Sequence, residues 1–264
     1  MSQTKVTPLD VRLMQTATWL LCVVLVVLVS SAVVRWVAVL PVFNIRTVQV
    51  VGDVEHHNAV TLRANVSPYI AGSLFHINLS EVREAFESMP WVRSAVVRRV
   101  FPNRLKVELQ EHQVVAFWGL EGESKLLNTF GEVFDANVGD IEQDGLPRLM
   151  GPDNQSAEVL KMYQTLAPHF TQAALPLEEL QLTARGSWRA RLDSGAVIEL
   201  GRSDEQAIES ASVRFLHTVT QVASRYGRAT TELESVDLRH QNGYAIRLHG
   251  VSTLVAAGTP PHRN

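Results

Sequence analysis

Cysteine is almost missing. Among 264 residues there is one, Cys22, so no disulfide can close within the chain, and metal clusters built from several thiolates are excluded. An excess of positive charge is also lacking. The 24 basic and 27 acidic side chains leave a formal charge of −3, which argues against a chain built to neutralise nucleic-acid phosphates. The spacings that carry common chemistries are missing too. There is no G-x-x-x-x-G-K-[ST] phosphate loop, no G-x-G-x-x-G turn, no H-E-x-x-H zinc helix and no G-x-S-x-G nucleophile elbow. His56 and His57 are adjacent, so a strand or helix cannot aim both at one metal. His76, His112, His169 and His217 are isolated. Glu81, Glu84 and Glu87 fall along one helix face and read as a solvated surface rather than an acid/base pair. The sequence therefore points to no catalytic residue, no cofactor and no metal, and to a chain that is not an enzyme.

What is present begins with an apolar run. Arg12 and Arg35 bracket Leu13 to Val34, which carries no charge. At ~1.5 Å per residue such a helix reaches ~33 Å, enough to cross a hydrocarbon core of ~30 Å. Trp19 and Trp36 stand near its two ends, where indole rings favour the interface. The run is longer than the core of a cleaved signal peptide, so it reads as a single anchor. Orientation is open on charge alone, because Lys5 and Arg12 precede the span and Arg35 and Arg46 follow it.

The remainder reads as two folded regions. Residues 1–12 form a tail, 13–40 the anchor, 41–112 a first domain, 113–250 a second, and 251–264 a tail expected to be disordered. The first domain carries 8 basic and 7 acidic residues and the second 13 and 19 through the C-terminus, so the second is a poor surface for nucleic acid or anionic lipid. In the first domain, Ile45–Val51 is β-branched and ends at Gly52-Asp53. Asn58 can cap a helix over 59–67. Ser80 can cap another, whose Val82, Ala85, Phe86 and Met89 share one face and which Pro90 ends. Residues 91–100 read as a strand and Leu105, Val107 and Leu109 as the buried side of another, giving β-α-α-β-β. Arg93, Arg98, Arg99, Arg104 and Lys106 form a basic cluster, read first as a solvated sheet face.

The second domain is richer in strands: 114–118, 125–128, 132–134, 188–192, 196–200, 235–240 and 244–248, with helices over 156–167 and 204–226. Asp193-Ser194-Gly195 and Gln241-Asn242-Gly243 read as hairpin turns, the Asn-Gly pair being the stronger signal because both residues tolerate positive φ. The fold class is α+β: an anchor helix, a β-α-α-β-β module, and a mixed β-rich domain with helices packed on an antiparallel sheet. A terminal strand at 244–248 falls naturally at a sheet edge, where unpaired backbone groups can accept an added strand from a partner.

These residues resemble a known family. The stretch 72–118, GSLFHINLSEVREAFESMPWVRSAVVRRVFPNRLKVELQEHQVVAFW, is similar to the POTRA module of the FtsQ/DivIB family of bacterial cell-division proteins. NTFGEVF (128–134), LPRLMGP (146–152), GSW (186–188), ELGR (199–202) and VDLRHQNGYAIRL (236–248) resemble its later landmarks in the same order. The resemblance implies an inner-membrane protein at the division septum, with its N-terminus in the cytoplasm and its bulk in the periplasm. It implies a non-enzymatic divisome scaffold that binds FtsB and FtsL and acts indirectly on the septal peptidoglycan synthases FtsW and FtsI. Carried over by position, the partner-binding residues are Arg239, His240, Asn242, Gly243, Tyr244 and Leu248, with Arg185 and Arg202 beside them to meet acids of the partner. His240 and Leu248 depart from the family pattern, since some relatives have Tyr and Trp there. The alternative is an anchored POTRA chaperone for exported polypeptides, which the missing barrel strands and POTRA repeats disfavour.

Overall fold

The computed structural model describes residues 9–38, 40–52, 66–70, 72–137, 139, 141, 145–152, 154–240 and 243–251. The turn after Gly52, most of the helix expected over 59–67, His56 and His57, the Gln241-Asn242 pair and the tail from 252 lie outside these residues. The first helix, α1 (Leu9–Ala38), contains the apolar segment Met14–Val37, of mean hydropathy 2.6 and with none of it buried. By length and composition it is a helix able to cross a membrane. The rest of the chain divides at Glu111/His112 into two compact units.

In the first unit, β1 (Thr47–Gly52), β2 (Val92–Val100) and β3 (Arg104–Glu111) form a three-stranded sheet in the order β1-β3-β2, with β1 parallel and β2 antiparallel to β3. Helix α2 (Leu79–Glu87) lies between β1 and β2 in the chain. Its cap is Asn78, whose side-chain oxygen accepts from Ser80 N at 3.1 Å and whose amide donates to Glu81 at 2.9 Å. The cap therefore sits two residues before the expected Ser80. Val82, Phe86 and Met89 are buried with Leu105, Val107 and Leu109 in one core, as the spacing predicts. The basic cluster is spread out. Lys106 and Arg98 share Glu108, at 2.7 and 4.0 Å, and hold its carboxyl below the usual carboxylate range. Arg99 is spent on the carbonyls of Leu74 and Ile77.

The second unit is one nine-stranded sheet. Its strands are β4 (Val114–Trp118), β5 (Lys125–Asn128), β6 (Val133–Asp135), β7 (Arg148–Met150), β8 (Leu177–Leu182), β9 (Trp188–Leu192), β10 (Val197–Gly201), β11 (Leu233–Asp237) and β12 (Ala245–Leu248). Their order across the sheet is β12-β11-β10-β9-β8-β7-β4-β5-β6. The α+β class holds, but the sheet is mixed rather than wholly antiparallel: β4/β7, β7/β8 and β10/β11 are parallel. Two of these follow from crossovers, since α3 (Ser156–Gln172) joins β7 to β8 and α4 (Glu205–Arg225) joins β10 to β11. A helical crossover returns the chain in the same direction, whereas a short turn reverses it. Both helices lay apolar stripes on one sheet face: Val159, Met162, Leu166 and Phe170 from α3, and Ile208, Phe215 and Val219 from α4. Helix α3 runs through Pro168 to Gln172, five residues past its expected end, because Phe170 is fully buried beyond the proline.

The opposite sheet face is polar. Arg191 pairs with Glu179 at 3.1 Å, Arg189 with Glu199 at 2.7 Å and Arg247 with Glu234 at 3.4 Å. Arg148 lies over the Phe117 ring, 5.2 Å from its centroid. A shallow concavity of about 370 Å³ opens there, lined by Arg148, Glu179, Arg189 and Arg191 among others. Arg189 and Arg191 are paired with carboxylates there, and Arg148 donates to the carbonyls of Gly119 and Leu120.

Candidate functional site

The site is built from the end of the sheet where β12 begins. Helix α4 starts here, capped by Asp204, whose side chain accepts from Ala207 N at 2.8 Å. The β8–β9 turn carries Arg185, the end of β10 carries Arg202, and the end of β11 carries Arg239 and His240. All four side chains belong to exposed residues. Glycines bring the arginines together. A Cβ on Gly186 would meet Arg202 Cγ at 4.0 Å, and one on Gly201 would lie 2.9 Å from Arg239 Cγ. Gly201 also has φ +87°, a conformation only glycine adopts without strain. The stem of Arg239 therefore crosses backbone that a side chain would have occupied, whereas Arg202 only touches the turn at Gly186.

The arginines differ in how committed they are. Arg239 grips Asp237, donating through Nε at 2.8 Å and again through its terminal nitrogen, while its backbone N–H reaches the same carboxylate at 3.0 Å. These contacts hold the Asp237 carboxyl down to about 2, from an ordinary 3.8. A folded-state value below the unfolded one means that this pair stabilises the fold fully above pH ~4 and loses that contribution as the pH falls from ~4 towards 2. The thermal midpoint of the wild-type chain should therefore fall more steeply over that window than that of Asp237→Asn; parallel curves would show that the pair contributes nothing.

Tyr244 and Leu248 turn inward. The Tyr244 hydroxyl is 2.7 Å from Thr218 Oγ1 on α4, and its ring meets Phe215 edge-on with centroids 5.2 Å apart. Leu248 is only 4% exposed and belongs to the core. Neither side chain projects freely into solvent, and that of Leu248 holds the strand down on the core. The strand alternates, so Ala245 and Arg247 are the exposed side chains. Sequence reasoning passed over both, although alternation with Ile246 and Leu248 was the signal that marks them. Asn242 lies outside the described residues, and Gly243 is exposed.

The hydrogen-bonding direction of β12 follows from its neighbours. His249 N donates to Glu232 O, and Leu238 N donates to Glu199 O. Alternation from these two bonds aims Ala245 and Arg247 at their register partners Asp237 and Ser235 on β11. The amides and carbonyls of Ile246 and Leu248 then face away from the sheet. Among the described residues no strand pairs with that side.

Comparison with known proteins bears on what this edge belongs to. Residues 116–239 match the family described as cell division protein FtsQ/DivIB, C-terminal, and residues 43–112 match the POTRA domain of FtsQ type. The chain belongs to the FtsQ/DivIB family of cell division proteins. It is 38% identical to the cell division protein FtsQ of Thiomonas arsenitoxydans, across 92% of this chain and 89% of that one. It is 35% identical to the FtsQ proteins of Burkholderia pseudomallei, across 93% and 96%, and of Bordetella pertussis, across 86% and 88%. Family membership places the chain in the cell-division machinery, where its work is protein–protein interaction. The matched FtsQ/DivIB region ends at Arg239, so β12 lies just beyond it.

Proposed function

We propose that the free edge of β12 docks an extended segment of FtsB, and that the chain acts as a non-enzymatic divisome scaffold. In this reading it binds FtsB together with FtsL and so helps couple assembly of the division site to septal peptidoglycan synthesis by FtsW and FtsI. The anchor sits in the inner membrane at the septum, with its N-terminus cytoplasmic and both folded units periplasmic. One observation carries the reading: β12 is the outermost strand of a nine-stranded sheet and points backbone groups of Ile246 and Leu248 away from it. A partner strand can satisfy those groups and gain affinity from main-chain bonds. Arg185 and Arg202 at the strand's entry select a segment whose end is acidic, because guanidinium–carboxylate pairs add both charge and geometry, while Arg239, held by Asp237, borders them. The polar face of the sheet, with its arginines already paired, adds little.

Photo-crosslinking in cells tests this. A photoreactive residue placed at His240, Ala245 or Arg247, whose side chains are exposed, is expected to capture FtsB, identified by mass spectrometry. Capture from His240 alone, with none from 245 and 247, would assign the contact to the arginine cluster and sink strand addition. Buried Leu248 is the negative control.

A further inference from the structure

A second surface lies where the chain leaves the membrane. Three segments of the first unit meet at one end of its sheet. Residues 41–46 join residues 72–74 through the Asn44–Ser73 bridge, Leu74 N to Phe43 O at 2.8 Å and Ile45 N to Gly72 O at 3.1 Å. They join the β2–β3 turn through Arg46 N to Asn103 O at 3.0 Å and the Thr47–Arg104 register pair. This brings three phenylalanines into a row: Phe43 meets Phe75 edge-on at 4.9 Å between centroids, and Phe75 meets Phe101 at 5.7 Å. Among the described residues the row is left largely open, with Phe43 half-buried. Val42 is 53% exposed, Phe75 44% and Phe101 59%. The row is rigidly held, because Arg99 donates to Leu74 O and Ile77 O, both at 2.8 Å, on either side of Phe75.

Charge in these three segments has one sign. Arg46 and Arg104 are exposed at the same end, and residues 40–46, 72–78 and 99–104 contain no Asp or Glu. The row is also tethered. Phe43 is six residues beyond Val37, the end of the apolar span, and six residues of fully extended chain reach at most ~21 Å. Two backbone bonds, Leu40 N to Val37 O and Phe43 N to Leu40 O, at 3.1 and 3.0 Å, shorten that reach further. A solvent-exposed aromatic row is costly in water. Aromatic rings favour the membrane interface, and arginines beside them meet lipid phosphates.

We infer that Val42, Phe43, Phe75 and Phe101, flanked by Arg46 and Arg104, form a membrane-contact surface that seats the first unit on the anionic bilayer its own helix crosses. This rests on α1 being a membrane span. The exposed apolar area supplies interfacial affinity, and the two arginines add a salt-dependent attraction to phosphate headgroups. The seat limits how far the first unit can swing about the short connection to α1, so that a partner arriving in the membrane meets it at a fixed height.

The test uses the full chain in vesicles of 3:1 phosphatidylcholine and phosphatidylglycerol, with no other protein. On a Cys22→Ser background, a nitroxide is attached at Phe75→Cys, Phe101→Cys or, as an aqueous reference, Val96→Cys on β2, which is 45% exposed. Collision with oxygen and with a water-soluble nickel chelate reports depth. Labels at 75 and 101 should show a several-fold higher oxygen-to-nickel ratio than the label at 96. Arg46→Gln with Arg104→Gln, or pure phosphatidylcholine, should lower that ratio. Equal ratios at 75, 101 and 96 would overturn the proposal and leave the row to a protein partner. The wild-type chain labelled at Cys22 checks the span separately: an aqueous Cys22 would mean that the anchor itself is misassigned.

Discussion

Ile246→Pro is expected to weaken binding of the FtsB segment by about 30-fold or more, roughly 2 kcal/mol, while the chain stays folded. Proline has no backbone N–H and its ring occupies the space where the donor was. At position 246 that donor faces the partner, because β12 spends the amides of Ala245 and Arg247 on β11. Ala245→Pro should act differently. It removes a bond to Asp237 within the protein, opens the β11–β12 ladder and lowers the thermal midpoint along with binding. The contrast between neighbouring positions separates strand addition from a general loss of fold. Titration of the partner segment, read beside the melting curve of each variant, decides it. An Ile246→Pro chain that is folded and binds as tightly as the wild type would remove β-augmentation at this edge.

Phe215→Ala is expected to destabilise the second unit by about 3–5 kcal/mol, a fall of roughly 10 °C in its thermal midpoint. Phe215 is 0% exposed on α4 and lies beneath β12's entry, its ring perpendicular to that of Tyr244. Removing it leaves a cavity and takes away the apolar floor on which Tyr244 rests, with only the bond to Thr218 remaining. Partner binding should therefore weaken as well, although no partner atom touches position 215. A midpoint within about 2 °C of wild type would mean that α4 does not brace the docking strand.

The parts of the fold that could be read from the sequence are those where local pattern and burial agree. The apolar face of Val82 and Phe86 on α2, the alternation through Arg104–Glu111, and the turn before β10 all announce themselves. β7 and β8 do not. β7 is three residues long and is recognised only by parallel neighbours far away in the chain. In β8, Leu177 and Leu180 are three apart, a helical spacing, because a register irregularity between Leu177 and Glu179 shifts the alternation. Missing these two strands also hid the parallel pairings, which follow from how far the chain travels before it returns. At the candidate site, the three arginines could be matched by family position, but the placement of Arg239 depends on Gly201. The inward turn of Leu248 was legible as alternation with Arg247, and the resemblance to relatives with a larger side chain there masked it.

The position of β12 also sets an order of events during synthesis. Chains emerge N-terminus first, and β12 is the last described strand, added to β11 only after α4 has carried the chain across the sheet. The docking edge thus comes into existence when the second unit is essentially complete. A chain that stalls or is clipped before Gly243 ends its sheet at β11 and keeps Arg185, Arg202 and Arg239. It lacks the outward backbone groups of Ile246 and Leu248, so under the proposed docking it would offer the charge without the edge strand.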